Sequence, residues 1–516
     1  MKLASSAQMR DLDSYAIEVL GIPGAALMSN AARHIASAAL ERLTTGGRAA
    51  VFCGTGNNGG DGIGAAALLL EKGVQTRVFI VGNTGKLTPD SREMLERFES
   101  LGGAPEPFSD SVDIREYTDG CEVTIDAMFG TGLNSALRGD ASIAADMMNS
   151  ARACVISADI ASGVQADTGA IPGAAVKADI TLTFSLAKPG HFIEPGVINC
   201  GQLRVCDIGV PKDAVDGLTS NIFSVSGEDV ALPPRRPDSH KGDFGRCLII
   251  AGSVGYTGAP ALSARAATRM GAGLVHLGVP EQIYDILAVK LDEEMPFPLP
   301  GDEQGRLAAN AAAEILHRAD NCDVCLIGPG IGRSPDVTEL VLSTIRLTKA
   351  PVVIDADGLF AVASNIDILK QATCPLILTP HPGEFARLGG DLMSGDRLSS
   401  AVAFARGFNC VLVLKGHRTI TALPDGSAYI NTTGGPAMAK GGSGDVLAGM
   451  IASLIGQKFD VRDAVLTSVY SHGLAGDMCA AELGEYSVTA GDIIDMLPKA
   501  LLSISGRSCG NSHNLV

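Results

Sequence analysis

Residues 439–450 read AKGGSGDVLAGM. Gly441, Gly442, Ser443 and Gly444 lead directly into Asp445 and then an apolar run at helical spacing. Glycines let the backbone turn its N–H groups inward, and a helix start adds partial positive charge, so this loop suits an anion. A carboxylate at that point repels a phosphate, which gives Asp445 a separate job. The simplest is to take a proton from a hydroxyl that attacks the phosphate. The alternative is a plain helix N-terminus with an acidic first turn. No GxxxxGK[ST] occurs in the chain, and Gly82-Asn83-Thr84-Gly85-Lys86 is followed by Leu87, so an ordinary P-loop is excluded. Phosphate handling rests on 441–445.

Upstream of that loop, short apolar strands are expected at 247–251, 324–327, 352–354, 376–378 and 411–414. They empty into glycine-rich or polar loops at 252–259, 328–332, 355–358, 379–384 and 415–419. Apolar strands separated by helical segments predict a parallel sheet flanked by helices. Asp355 and Asp357 stand at a strand end, where Mg²⁺ binding near a phosphate and a buried cap are equal readings. His381, between two prolines, favours ligand contact over packing. Lys415 is a phosphate donor or simply a strand-end lysine.

The first half repeats the pattern. Helices are expected at 8–20 and 27–43 around Gly21-Ile22-Pro23-Gly24, a pair open to packing on a neighbouring subunit. A strand at 49–53 runs into GTGNNGGDG (54–62) and an Ala/Leu-rich helix, which formally contains GxGxxG. The next strand, 77–81, ends in Gly82-Asn83 with no acid to grip a ribose. Asn57, Asn58 and Asp61 crowd the loop with oxygens suited to a cation or a polar ligand edge, a glycine turn being the plain alternative. Strands at 122–125, 153–157 and 181–185 lead to Asp126, to Asp159 and to Lys188-Pro189-Gly190-His191. Parallel sheets place ligand sites at such carboxyl ends, so Asp126 and Asp159 are acid/base or cation-binding candidates beyond mere helix caps.

Proline content and lost periodicity across 210–237 put a domain junction near 220–235, giving domains 1–222 and 223–516. Among 516 residues, 46% are hydrophobic, enough for full cores, while aromatics at 4% and the absence of Trp argue against base-stacking platforms. A formal charge of −17 argues against nucleic-acid or anionic-membrane surfaces. The 12 cysteines lie mostly in apolar runs, the pattern of reduced thiols in a cytoplasmic protein, and the Cys322/Cys325 CxxC reads as core packing. The charged N-terminus is no signal peptide, and no long apolar span predicts a membrane helix.

GTGNNGGDG, DAMFGTG, DIASG and FSLAKPGH resemble the epimerase domain of the bifunctional NAD(P)H-hydrate repair enzymes over about residues 1–220. The resemblance implies a Rossmann-like three-layer α/β domain that interconverts the R and S epimers of hydrated NADH and NADPH with a bound potassium ion. It implies Asn58, Asp126 and Ser162 at the potassium site. The hydrate would be held by Asn57, Asn58, Gly59, Gly60 and Asp61, by Gly130, Thr131, Gly132, Leu133, Asn134, Ser135 and Ala136, and by Asp159, the proton-transfer residue. Ala161 departs from the family, which usually has proline there.

GGSGD near the end of an α/β domain resembles the ribokinase-like superfamily. HKGDFG, GPGIG, TPHPGEFARL, LKG with Thr419, and KGGSGDVLAG together are similar to the ADP/ATP-dependent NAD(P)H-hydrate dehydratases over about residues 225–505. This implies that Ala259, Gly330, His381 and Asp445 contact the hydrated nicotinamide nucleotide, Asp445 at the substrate hydroxyl. Lys415, Gly416, His417, Arg418, Thr419 and Gly444 would contact ADP or ATP, with Mg²⁺. Hydroxide is a poor leaving group, whereas a phosphorylated 6-hydroxyl leaves readily, pushed by the ring nitrogen. The expected whole is a homo-oligomeric enzyme that epimerises both hydrates and dehydrates the S form, bacterial-type members generally using ADP. A small-alcohol or vitamin-precursor kinase shares GGSGD but not TPHPGE, and a non-enzymatic scaffold has no use for Asp61, Asp126 and Asp159.

Overall fold

The computed structural model describes residues 1–230 and 232–508, the side chains of 506–508 excepted; residues 231 and 509–516, within the expected second domain, lie outside the described residues. The chain divides into two compact units, Lys2–Ile222 and, together with Met1, the chain from Phe223 onward.

The first unit holds seven strands: β1 (Arg48–Cys53), β2 (Gln75–Ile80), β3 (Pro105–Pro107), β4 (Val123–Ala127), β5 (Cys154–Ala158), β6 (Ile180–Phe184) and β7 (Gln202–Cys206). They lie in the order β3-β2-β1-β4-β5-β6-β7, every neighbouring pair parallel. β4 and β6 are buried on both faces, as strands sandwiched between helix layers must be, which is why they read as unbroken apolar runs. β3 and β7 were not expected. One is bracketed by prolines and the other is half-exposed, and both are edge strands, where a missing N–H or a wet face is tolerated. The strand order reverses between β1 and β4, so the loops after these two strands diverge and leave a crevice.

Helices α1 (Ser6–Ser14), α2 (Gly24–Leu40) and α3 (Asn57–Glu71) complete what positions this site. α1 begins earlier than expected because Ser5 and Gln8 form a capping box, and it gives way at Tyr15–Val19 to one turn of π-helix. Met9, Leu12 and Ala16 are buried within the same core cluster as β1 and β4, so the pair packs on its own unit.

After β8 (Ile222–Val225), the second unit adds β9 (Arg246–Ile250), β10 (Leu274–Pro280), β11 (Met295–Leu299), β12 (Val324–Ile327), β13 (Val352–Ile354), β14 (Leu376–Leu378), β15 (Val411–Leu414), β16 (Ile420–Ala422) and β17 (Ala428–Asn431). The order is β11-β10-β9-β12-β13-β14-β15-β16-β17-β8, parallel through β15 and antiparallel from β15 to β17. Its parallel part repeats the first unit's topology, with the reversal between β9 and β12. Three helices matter here: α4 (Gly258–Arg269), α5 (Ser443–Gly456) and α6 (Val461–Leu483). From Val446 to Gly456, α5 is buried all round. A Cβ on Gly449 would lie 2.1 Å from the Ser263 carbonyl oxygen, so α4 and α5 pack backbone to backbone. Cys325 is buried in β12 and Cys322 is half-buried, as a packing role requires.

Candidate functional site

In the first unit, the crevice between the β1 and β4 loops opens into a cavity of about 860 Å³. The loops are pinned together: the Gly54 N–H donates to the Ala127 carbonyl at 3.0 Å, and a Cβ on Gly54 would fall 1.9 Å from the Met128 oxygen. Asn57, Asn58, Asp61, Gly130, Thr131, Gly132, Leu133 and Asp159 all line the cavity. Gly59 and Gly60 do not. They are buried inside α3, where added Cβ atoms would strike the Gly54 oxygen at 1.9 Å and Met28 Sδ at 2.5 Å. Asn134, Ser135 and Ala136 also lie off the lining; the Asn134 carbonyl accepts from Gln165, and Ala136 packs toward Gly173.

Asp159 sits in the left-handed region at φ 65°, a conformation an aspartate tolerates, directly after β5. Its Oδ1 accepts from Lys188 Nζ at 2.6 Å and from Thr183 Oγ1 at 3.2 Å, and its carbonyl meets His191 Nε2 at 3.0 Å. Burial alone would raise the Asp159 carboxyl, but the Lys188 cation, 1% exposed, outweighs it and holds the carboxyl below its ordinary value. The neighbouring acids move the other way. Burial and the Asp159 charge push Asp61 well up, and the same causes bring Asp13 to about 6 against the opposing pull of Lys188. Burial lowers His191 to about 4, so it stays neutral. The sequence shows Lys188 only as the start of a strand-end loop and Asp13 only as a polar position on the N-terminal helix; their meeting with Asp159, 29 residues from Lys188, is made by the fold.

Asp126 and Ser162 are hydrogen-bonded to each other behind the β4 loop, and Asn58 lines the cavity against Gly130 of that loop. The buried Asp126 carboxylate accepts from Ser162 Oγ at 2.6 Å, the Ser162 N–H at 2.8 Å and Ser157 Oγ at 2.8 Å. Burial raises Asp126 although these hydrogen bonds lower it. The Asn58 amide is buried with neither its oxygen nor its nitrogen hydrogen-bonded, and Gly130 lies against it. A carboxylate, an amide and a serine hydroxyl are oxygen donors of the kind a hard monovalent cation takes, but both Asp126 oxygens and Ser162 Oγ, which accepts from the Phe129 N–H, already have partners, and the Asn58 amide is the group left without one. Among the described residues no group of three or more His, Cys, Asp or Glu forms a metal cluster.

The second unit builds its site at the equivalent reversal. Gly252 N–H donates to the Pro329 carbonyl at 2.8 Å and Ser253 Oγ to the Gly330 carbonyl at 2.8 Å, tying the β9 and β12 loops. Gly330, at φ 63°, faces Ala259 and Tyr256; a Cβ there would lie 3.1 Å from both their Cβ atoms. Tyr256 is exposed and was not singled out from sequence. His381 Nδ1 accepts from Gly383 N–H at 3.0 Å, capping the next helical turn and leaving Nε2 to carry the proton.

Gly442 enters α5 at φ 94°, and Asp445 stands in the first turn. Beneath it, Lys415 Nζ donates to Asp355 Oδ1 at 2.7 Å, which also accepts from Thr379 Oγ1 at 2.7 Å. A Cβ on Gly444 would sit 3.2 Å from Lys415 Nζ and 4.0 Å from Asp355 Oδ2, so glycine leaves the ammonium reachable from the loop. Burial, then the Asp355 charge, raises Asp445 to about 7, with Lys415 opposing. Asp357 is tied to Arg333 Nε at 2.8 Å and the Gly332 N–H at 3.1 Å. Gly416 and Arg418 both take positive φ, Arg418 Nη1 donates to the Thr432 carbonyl, and Thr419 Oγ1 donates to the Gly416 carbonyl at 3.0 Å, shaping 415–419 into a tight loop; His417 lies within it. His472 on α6, buried and lowered to about 4, lies 3.4 Å from Ser443 Oγ; no spacing rule pointed to it.

Residues 24–190 match the family described as YjeF-related protein N-terminus, and residues 247–499 the one described as NAD(P)H-hydrate dehydratase. A bifunctional NAD(P)H-hydrate repair enzyme of Moorella thermoacetica is 40% identical over 98% of this chain and 97% of its own length. The chain belongs to the bifunctional NAD(P)H-hydrate repair family. Its counterpart in Thermofilum pendens is 38% identical over 98% of this chain and 97% of that one. A solved Bacillus subtilis ADP/ATP-dependent NAD(P)H-hydrate dehydratase is 30% identical, covering 56% of this chain and 100% of its own, with a TM-score of 0.48. The function is therefore repair of hydrated NADH and NADPH by an epimerase and a dehydratase. No described helix is long and apolar enough to cross a membrane.

Proposed function

We propose that the two reactions are divided between the two units, the first epimerising the hydrate in its cavity and the second dehydrating the S form with ADP or ATP. The carrying observation is that each unit has its own carboxylate poised for proton transfer beside the carboxyl ends of its parallel strands: Asp159 after β5, held ionised by Lys188, and Asp445 near Asp355 and Lys415, brought to about 7 at a glycine-rich helix start. In the first, Asp159 moves the proton while Asn57, Asn58, Asp61 and 130–133 hold the hydrate. Asn58, Asp126 and Ser162 hold potassium, which supplies positive charge beside the substrate; the orphaned Asn58 amide supports this.

In the second, Asp445 takes the 6-hydroxyl proton as that oxygen attacks the terminal phosphoryl group. The backbone of 441–444, the α5 N-terminus and Lys415 receive its charge. Ala259, Gly330 and His381 seat the nicotinamide ring, and 416–419 the nucleotide. Departure of phosphate is driven by the ring nitrogen's electron pair, and loss of the C5 proton restores the dihydropyridine. Mg²⁺ would accompany the nucleotide and neutralise phosphate charge. Of the two strand-end acids, Asp355 has one oxygen engaged, by Lys415 and Thr379, and Asp357 has both engaged, by Arg333 and the Gly332 N–H.

Exposed Tyr15, Ile17 and Val19 on the π-turn and Leu20 just after it support a homo-oligomer, and the predominance of buried cysteines supports a cytoplasmic setting. The test is to incubate the protein with hydrated NADH and either ADP or ATP. Recovery of NADH absorbance from both epimers with at least one donor is expected; no recovery with either defeats the reading.

A further inference from the structure

α1 is not a peripheral arm. Leu3 forms a β-bridge with Ala187, and the Ala4 N–H donates to the Ala187 carbonyl at 2.9 Å, one residue before Lys188. Ser6 anchors the helix start to Asp167 Oδ1 through its N–H at 2.6 Å and its hydroxyl at 3.0 Å. These ties fix α1 against the loops after β5 and β6. Met9, Arg10 and Asp13 then line the cavity that Asp159 lines from the other element. The π-turn that follows Asp13 is an irregularity of a kind concentrated at functional sites.

We propose that Asp13 is the acid partner of Asp159 in epimerisation, protonating the ring nitrogen of the hydrate while Asp159 removes the hydroxyl proton. This rests on the reading of the cavity as the epimerase site. Carbon 6 of the hydrate carries both a hydroxyl and the ring nitrogen, so it opens as a hemiaminal does. Asp159 takes the O–H proton, the C6–N1 bond breaks as C6=O forms, and N1 takes the Asp13 proton. Rotation about C5–C6 turns the other aldehyde face to N1. Reclosure forms the new C6–N1 bond, N1 returns its proton to Asp13, and Asp159 returns its proton to the oxygen. Both carboxyls end as they began, and no co-reactant is consumed.

The groups around Asp13 suit this division. Asp159 on the β5 loop is held ionised by Lys188 on the β6 loop, so it is the base. Asp61 on α3 also faces the cavity, its carboxyl raised by burial and by the Asp159 and Asp13 charges, and Asp13, on α1 across from it, is brought to about 6, a value matched to the task. His191 is neutral, and Arg10, Lys86 and Asp90 line the same cavity.

The experiment uses the full chain with a chemically prepared mixture of R- and S-hydrated NADH, epimerisation being followed above its spontaneous rate across pH 5 to 9. The acid must carry its proton, so wild-type epimerisation falls as pH rises through about 6. Asp13→Asn is expected to lower kcat about 100-fold or more with little change in KM, and its residual rate is expected to lose that alkaline decline. A variant with kcat within about threefold of wild type, or one that loses rate yet keeps the decline, overturns the proposal. Where Asp13→Asn does not fold, Asp13→Glu carries the test: a lower kcat with the decline retained supports it, and a flat profile overturns it. A wild-type protein with no epimerisation above the spontaneous rate overturns the epimerase reading itself, which separates the two failures.

Discussion

Lys188 shows most plainly what one residue does here. It is 1% exposed, and its ammonium has Asp159 as its ion-pair partner. Removing one member of a buried pair leaves the other's charge uncompensated, so Lys188→Met should destabilise the first unit by about 3 kcal/mol in denaturant titration. The double variant with Asp159→Asn should recover most of that, because no charge is then stranded. The sign with pH follows from the depressed Asp159 carboxyl. Its contribution is fully present above the ordinary aspartate value of 3.8 and is lost as pH falls through the lower folded value. Asp445 behaves oppositely as a base. Dehydration should rise with pH as its carboxyl ionises through about 7, and a rate already flat between pH 6 and 8 would show that another group limits the step. The acids were legible in the sequence, Asp159 because it follows an apolar strand and Asp445 because it closes a glycine-rich helix start. What tunes them was not, because Lys188 and Asp355 act through space.

Among the elements, α5 does two jobs that compete for its surface. Its first turn must present N–H groups and Asp445 to a ligand, while everything from Val446 on is buried against α4 and the sheet. Glycine settles the conflict at Gly449, where only a bare Cα lets the Ser263 carbonyl approach. Gly449→Ala should therefore cost about 2 kcal/mol, although alanine favours helices, because the obstacle is backbone and cannot swing away. Thermal unfolding of the second unit reads this, and an unchanged or raised midpoint would mean that α4 shifts without cost. The helical run after GGSGD was visible from its spacing, and the strands feeding the sites were visible as apolar runs. The edge strands β3, β7 and β11 were not, because their prolines and wet faces mimic loops, and β10 passed unread. α1 was visible as a helix but not as part of a site, since amphipathic spacing says which face is buried and not against what.

On the scale of the whole molecule, the same parallel order is used twice, and each copy places its polar loops at its own reversal. That repetition was legible as strand–glycine–helix units in both halves, whereas the residues that join one unit's loops into a cavity became visible only with the strand order. Because Asp159 lies in one unit and Asp445 in the other, loss of one activity leaves the other's machinery untouched. Asp445→Asn should abolish dehydration while R and S hydrates still interconvert, and Asp159→Asn should consume the S hydrate while the R form persists beyond its spontaneous conversion. The hydrate leaves one site as a small diffusible molecule, so the defects should complement. An equimolar mixture of the two variants should repair both epimers at about half the wild-type rate for the same total protein, each site contributing independently. Failure of the mixture, with each variant keeping its own remaining activity, would mean that the hydrate is handed between sites of one molecule without release.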